Sequence, residues 1–291
     1  MALPYNKADL LQQLDFLENK VDLDKINPIF LRDELNRYFP TIPVGLLDIK
    51  KGTKLFRGRV HKGGKSFKKV ENFSYTPHAD KLNCKEFGRC NLPMQSLFYC
   101  SNNLDTAQME CICKDLKNKI WFLSFGEWEV QEDLLVADIV LNEIKEIKTT
   151  APDKKREHVL NLIKQDLTDE EFEYVKMILD FFGNQFAKTN IPTHMHYQYS
   201  VYLTNRLFEI VENDKPVDGL QYPSIPMSYQ DNNIVLKPSV IDNHKLKLIK
   251  TYEMVCGIGG GMQLQSKIEN TSKEVVNDEI VWHKEGVEFF V

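Results

Sequence analysis

The chain has 291 residues, of which 42% are hydrophobic, and this is enough for one large domain or for a main domain with an appendage. Its 37 basic and 42 acidic residues give a net charge of -5 and are spread along the chain, so no uniform positive field is available to attract nucleic acid. No apolar run is long enough to span a membrane, so we do not expect a membrane among the partners of this protein.

The beginning of the chain has neither a basic segment nor an unbroken apolar run, so no export signal is predicted. Six cysteines could form disulfides in an exported protein, but without such a signal we expect reduced thiols. The predicted location is the cytoplasm.

The first 48 residues are predicted to form an N-terminal helical extension to a main domain at 49–291. A second short helix at 28–38 follows a first helix at 7–20. The first helix carries an apolar stripe made of Leu10, Leu11, Leu14 and Leu17. This stripe could pack on the main domain, mediate self-association into a homo-oligomer, or bind a partner protein, and the sequence does not rank these roles.

The main domain begins with a predicted strand at 55–60, followed by a polar stretch at 61–88 that we expect to be a surface excursion. The segment "QSLFYCS" predicts another strand. A helix then follows, with Asp105 or Thr106 as its expected N-cap.

Further strands are predicted for "IWFLSFGEWEV" and "LLVADIVL". Thr168 and Glu171 form a capping-box pattern ahead of an amphipathic helix, and "HYQYSVYLTNRLFEIVEN" predicts another helix. Short strands are expected at "VDGLQYPSI", at "NNIVLKPSVI" and in the last fifty residues. The mixture without internal repeats predicts an α+β fold with one core.

Three residues suggest chemistry on a nucleotide. Arg57, expected at a strand edge, offers a fork of donors suited to a diphosphate. Tyr99 presents a flat face that could stack on a nicotinamide ring. Glu110, expected one turn into a helix, could face positive charge developing at a sugar carbon. Together they suit cleavage of a glycosidic bond in a nucleotide.

Three ordered segments resemble the RES domain family, whose members include many toxins of bacterial toxin–antitoxin pairs. The resemblance covers about residues 50 to 240. Its segments are "LFRGRV" with Arg57, "GRCNLPMQSLFYCSNNLDTAQMEC" with Gly88, Arg89, Tyr99, Ser101, Ala107 and Glu110, and "DGLQYPSIPMSYQDNNIVLKP" with Gly219, Tyr222, Pro223, Ser224, Asn232 and Asn233.

The resemblance implies an ADP-ribosyltransferase-like core that takes NAD as substrate, with no separate cofactor. The expected activity is hydrolysis or phosphorolysis of the bond between nicotinamide and ribose, in a bacterial toxin or defence effector that an antitoxin protein masks. Two alternatives stay open: transfer of ADP-ribose to a protein, and NAD sensing without cleavage.

The resemblance also assigns roles to residues. Arg57 is expected to hold the diphosphate and Tyr99 to stack on nicotinamide. Glu110 is expected to stabilise the oxocarbenium-like ribose or to orient the incoming nucleophile. Ser224 is expected to bind the nicotinamide amide or a ribose hydroxyl. The further NAD-binding candidates are Arg89, Tyr222 and Ser101.

The sequence departs from the family pattern in three ways. Gly58 stands where some members of the family have a tyrosine, so the residues that would bind the adenylate half of NAD are not identified. The polar stretch after Arg57 is long, and the N-terminal extension is not part of the common domain. Either of these last two features could cover the cleft.

Other motifs are predicted to have structural roles. Five cysteines between residues 84 and 113 lack the spacing of a zinc site, and "HMH" at 194–196 has no obvious third ligand, so no metal is expected. The glycine-rich stretch 256–263 predicts a flexible turn or lid, because it lacks the residues of a phosphate-binding loop. No hydrolase elbow surrounds Ser224, which favours a binding role over a nucleophilic one.

Overall fold

The computed structural model describes residues 6–61, 67–76, 84–113, 120–140, 143–144, 149–150, 154–165, 167–258 and 264–290. Within these ranges the protein is a mixed α+β structure built on one large mixed sheet of ten strands, with several helices packed on it. The glycine-rich stretch lies partly outside them, since 259–263 are not among the described residues.

The described residues form seven α-helices: α1 (Lys7–Asn19), α2 (Pro28–Tyr38), α3 (Leu104–Ile112), α4 (Lys154–Lys164), α5 (Asp169–Ala187), α6 (Gln198–Phe208) and α7 (Pro238–Asp242). Two 3-10 turns occur at Val70–Phe73 and His194–Tyr197. The Thr168 and Glu171 side chains form a capping box at the start of α5, so this predicted helix start is confirmed.

The large sheet is formed by β1 (Gly45–Ile49), β2 (Lys54–His61), β3 (Phe98–Ser101), β4 (Ile120–Val130), β5 (Leu134–Asp138), β10 (Gly219–Pro223), β11 (Asn232–Leu236), β12 (Leu246–Ile258), β13 (Leu264–Val276) and β14 (Glu279–Phe290). Its strand order is β1-β5-β10-β11-β3-β2-β4-β12-β13-β14, and all neighbours are antiparallel except β10 and β5. Two small ribbons pair β6 (Glu143–Ile144) with β7 (Thr149–Thr150), and β8 (Val211–Glu212) with β9 (Lys215–Pro216).

The sheet opens between β2 and β3. Strand β2 is paired with β4 along its eight residues but with β3 only at Phe56 and Ser101. Beyond this pair the two strands separate, and Arg57 lies at the opening. The predicted strand at 55–60 is therefore confirmed. Although β2 lies inside the sheet, its edge that faces β3 is unpaired at Arg57.

The N-terminal helices share a hydrophobic core with the rest of the chain. Leu10, Leu14 and Leu17 are buried in one cluster with side chains of α5, α6 and β10. Leu11 is half exposed and points away from this cluster. Of the three roles left open for the stripe, packing on the remainder of the protein is the one observed. Strand β1 crosses the predicted boundary at 48/49 and pairs with β5.

Three sequence-based expectations are corrected. The polar stretch after β2 is not wholly a surface excursion, because Phe73 is 1% exposed and packs on Phe67 and Trp282. Helix α3 is capped by Asn103, whose side chain accepts from the Thr106 amide, and not by Asp105 or Thr106. The last fifty residues form long strands of 13, 13 and 12 residues instead of short ones.

Candidate active site

A cavity of about 540 Å³ lies at the opening between β2 and β3. Its volume is in the range typical of small-molecule sites. The structure brings six of the seven predicted site residues to its wall: Arg57, Arg89, Tyr99, Ser101, Glu110 and Tyr222. The seventh, Ser224, lies directly behind Glu110 and is fully buried.

Arg57 is held across the opening by backbone carbonyls. Its Nε donates to the Ser74 carbonyl at 3.0 Å, and its Nη1 donates to the Tyr99 carbonyl at 2.8 Å. The guanidinium also lies over the Phe98 ring, 5.2 Å from its centroid. Burial, and next the nearby Arg59, lower the pKa of Arg57 to about 10, so the side chain is still protonated at neutral pH.

Two arginines of β2 converge on one acceptor. Arg59 Nη2 donates to the same Ser74 carbonyl at 3.0 Å, and burial lowers the pKa of Arg59. Among the described residues, neither Arg57 nor Arg59 has an acidic partner. Both arginines are half-buried, and a guanidinium withdrawn from water without a carboxylate is costly unless another anion compensates its charge. This arrangement is therefore suited to an anionic ligand.

Glu110 is the one carboxylate among the described residues that line the cavity. It lies near the C-terminal end of α3 and not one turn into the helix, as expected from the sequence. Its Oε1 accepts from Ser224 Oγ at 2.7 Å and from Asn233 Nδ2 at 2.6 Å. Because both donors are neutral, they orient the carboxylate without cancelling its charge.

Ser224 has a different contact from the one predicted. Its hydroxyl donates to Glu110, and the residue is 0% exposed, so a direct bond to the nicotinamide amide or a ribose hydroxyl is not available from this position. Its amide donates to the Asp231 carbonyl, and Asp231 accepts from Thr106 on α3. Ser224 therefore orients the carboxylate from behind.

Two tyrosines form an aromatic wall. The Tyr99 hydroxyl donates to Asn91 Oδ1 at 2.8 Å and accepts from the Cys90 amide at 3.2 Å, which fixes the ring. Tyr222 packs on Phe186 with ring centroids 5.3 Å apart. Burial raises the pKa of both tyrosines well above the ordinary value, so both hydroxyls stay protonated.

Arg89 joins the cavity wall to the end of α5. Its Nη1 donates to the Phe186 carbonyl at 2.6 Å and its Nη2 to the Lys188 carbonyl at 3.2 Å. The guanidinium lies over the Tyr197 ring, 5.2 Å from its centroid. It too has no acidic partner among the described residues. The cavity thus has a second positive group that is not neutralised within this part of the chain.

Gly58 has a steric reason to lack a side chain. A Cβ at this position would lie 2.5 Å from the Phe125 ring and 2.6 Å from Cys111 Sγ. Helix α3 and the Phe125 ring therefore pack so closely on β2 that a side chain does not fit. The space that a side chain would fill is occupied by Phe125 of β4 and by Cys111 of α3.

The six cysteines form no disulfide, and three of them, Cys100, Cys111 and Cys113, line the cavity. No group of three or more His, Cys, Asp or Glu side chains within the described ranges is arranged to hold a metal ion. The histidines of "HMH" have structural contacts: His194 accepts from the Phe87 amide, and His196 lies 3.6 Å from Asp24.

Asn233 has a position in the site that the sequence did not predict. This residue is buried and links two parts of the site, because it accepts from Ser101 at 3.2 Å while it donates to Glu110. A polar residue at the start of the apolar segment "NIVL" was the available signal, but which residue it opposes depends on the pairing of β11 with β3. Asn91, which lies in an irregular segment, and Tyr197, which ends the second 3-10 turn, also line the cavity and were not predicted from the sequence.

A larger groove of about 980 Å³ lies elsewhere, between the first 3-10 turn and the start of β12. Charged side chains of both signs line it, and none of the predicted site residues does.

No helix among the described residues is long and apolar enough to cross a bilayer. Comparison of the chain with protein-family models, with curated proteins and with solved structures finds no match.

Proposed function

We propose that this protein is an NAD-consuming enzyme of the RES type, with an ADP-ribosyltransferase-like core, that cleaves the bond between nicotinamide and ribose. One observation carries the proposal. A single cavity joins two arginines that lack acidic partners within the described residues to one carboxylate held by two neutral donors.

The arginines support a substrate with a diphosphate. Guanidinium groups bind phosphate oxygens through paired N–H donors, and the bond is stronger where water is excluded. Arg57 has its Nε and Nη1 bound to carbonyls, while no described residue accepts from its Nη2. A diphosphate oxygen is the group that compensates this charge in the proposed complex.

Glu110 supports cleavage at the ribose. Nicotinamide leaves with the bonding electron pair, which neutralises its ring nitrogen and leaves positive charge on the ribose carbon. A fixed carboxylate stabilises that charge. The attacking oxygen of water or phosphate then bonds to the carbon, and with water as acceptor a proton is released to Glu110 or to solvent. Tyr99 offers the flat surface for the nicotinamide ring.

Such an enzyme depletes a central metabolite of the cell that makes it, so its activity must be controlled. We therefore include in the proposal a role as a bacterial toxin or defence effector whose activity a partner protein masks. The resemblance in "LFRGRV" and the two later segments is what supports this part.

The direct test is incubation of the purified chain with NAD labelled on the adenylate side. The proposal predicts release of nicotinamide together with free labelled ADP-ribose, or with a phosphorylated form in phosphate buffer. A labelled protein band would show transfer instead of hydrolysis or phosphorolysis. Binding of NAD without release of nicotinamide would refute the enzymatic proposal and favour a sensing module.

A further inference from the structure

The connection between α1 and α2 (residues 20–27) touches the segment that carries part of the cavity wall. The Leu23 carbonyl accepts from Gln198 Nε2 at 3.0 Å, and both residues are buried. The Asp24 carboxylate accepts from Thr193 Oγ1 and lies 3.6 Å from His196 Nε2. These contacts extend from the residue before the second 3-10 turn to the first residue of α6.

The second 3-10 turn needs support from outside itself. It has only four residues, and hydrogen bonds in such turns have poorer geometry than those of an α-helix. Thr193 stands at its N-cap but makes no side-chain capping bond. A threonine at this position usually accepts from an amide of its own turn. Here its hydroxyl donates to Asp24, so the turn is bound to the N-terminal part of the chain.

The turn ends at Tyr197, which lines the cavity beneath Arg89. Both chain neighbours of Tyr197 are engaged by the connection: His196 faces Asp24, and Gln198 binds Leu23. Arg89 is in turn fixed to the same region, because its carbonyl accepts from Ser200 Oγ at 2.6 Å.

We propose that the connection between α1 and α2 is a clamp that sets the position of Tyr197 and Arg89 in the cavity wall, with Asp24 as its positioning residue. The clamp gives the N-terminal helices a role in substrate binding. The inference rests on the proposed function where it concerns NAD, but the clamp itself can be measured without substrate.

The kinetic test compares Asp24→Ala with Asp33→Ala in the full chain. Asp33 is an exposed carboxylate on α2 that pairs only with the neighbouring Arg32 among the described residues, so it is a matched control. Loss of one hydrogen bond to a charged acceptor predicts about a tenfold rise in KM for NAD in Asp24→Ala. The same variant should keep kcat within about twofold, since Glu110 and its donors are untouched.

Asp24→Asn adds a second comparison, because its amide oxygen can still accept from Thr193. We expect its KM to lie between those of the wild type and Asp24→Ala. Equal KM values for Asp24→Ala and Asp33→Ala would overturn the clamp. A lower kcat at an unchanged KM, in proportion to a lower fraction of folded protein, would also overturn it, because Asp24 would then act on stability alone.

Hydrogen exchange without ligand separates this inference from the proposed function. In Asp24→Ala the amides of His196 and Cys90, which bond to the Thr193 carbonyl and the Tyr99 hydroxyl, should exchange faster than in Asp33→Ala. Unchanged exchange at both amides would refute the clamp even if NAD is cleaved. If the wild type cleaves no NAD, the proposed function fails and the exchange result alone decides on the clamp.

Discussion

The two carboxylate oxygens of Glu110 have different hydrogen-bond partners. Oε1 receives hydrogen bonds from Ser224 and Asn233, whereas no described residue donates to Oε2. The bound oxygen sets the orientation of the side chain, and the other oxygen keeps its capacity to accept or to stabilise positive charge. A carboxylate fixed in this way needs little rearrangement during a reaction, which is the condition for electrostatic catalysis.

Asn233→Ala tests this arrangement at one atom. The variant removes one of the two donors to Oε1, so the carboxylate becomes less well oriented, and we expect kcat for NAD cleavage to fall about tenfold. The matched control is Asn232→Ala, since Asn232 precedes it on β11 and does not line the cavity. A kcat for Asn233→Ala equal to that of the control would show that the Asn233 bond is not needed.

The cysteines offer a test of burial around the site. Burial raises the pKa of Cys90 to about 12, and it also raises the pKa of Cys100 strongly. Because pH 8 lies far below both pKa values, both thiols stay protonated at that pH. Only the thiolate reacts with iodoacetamide. In the native protein we expect Cys84, which is partly exposed, to be alkylated first, while Cys90 and Cys100 remain unmodified.

Mass spectrometry of each cysteine after timed alkylation gives the order directly. Unfolding in denaturant should make all six react at similar rates, which serves as the control. Labelling of Cys90 as fast as Cys84 under native conditions would contradict the packing described around Tyr99.

At the scale of elements, the close contact of α3 with β2 fixes the site. Helix α3 carries Glu110, and β2 carries Arg57, so the distance between these groups depends on how closely the two elements approach at Gly58. The absence of a side chain at Gly58 permits this approach.

Gly58→Ala should therefore lower the free energy of unfolding by about 1 to 3 kcal/mol, the usual cost of an extra methyl group in a packed core. Denaturant unfolding measures the change. The double variant Gly58→Ala with Cys111→Ala removes one of the two clashing groups and should recover part of the loss. An unchanged unfolding midpoint for Gly58→Ala would mean that α3 is not packed on β2 as described.

Local patterns predicted several elements correctly, because the signals lie within each segment. The capping box at Thr168 and the apolar runs of β4 and β5 are of this kind. Phe73 was misjudged, since its burial comes from Phe67 and from Trp282, which is distant in sequence. The length of β12 to β14 depends likewise on pairing between strands, which a single-sequence pattern does not specify.

At the scale of the whole molecule, the cavity is assembled from segments that are distant along the chain. The resemblance of three segments to the RES pattern implied seven side chains that would meet, and six of them line the cavity. Sequence spacing could not predict that Ser224 lies behind Glu110. That position follows from the loop between β10 and β11, where the Ser224 amide binds the Asp231 carbonyl.

The N-terminal helices also belong to this scale. From the sequence they are predicted to be an extension. Their leucines, however, are buried in the same cluster as Tyr222, which lines the cavity, and Phe186, which packs on Tyr222. A stripe of leucines identifies a buried face but not what covers it. For that reason the sequence could not distinguish packing on the main domain from self-association.

The most direct test of the central claim is the rate of nicotinamide release from NAD by Glu110→Gln relative to the wild type. Glutamine keeps the shape and can still accept from Ser224 and Asn233, but it removes the negative charge. Loss of one preorganised electrostatic partner predicts a fall in kcat of about a hundredfold or more, with a similar KM. Release of nicotinamide at the wild-type rate by Glu110→Gln would contradict the account.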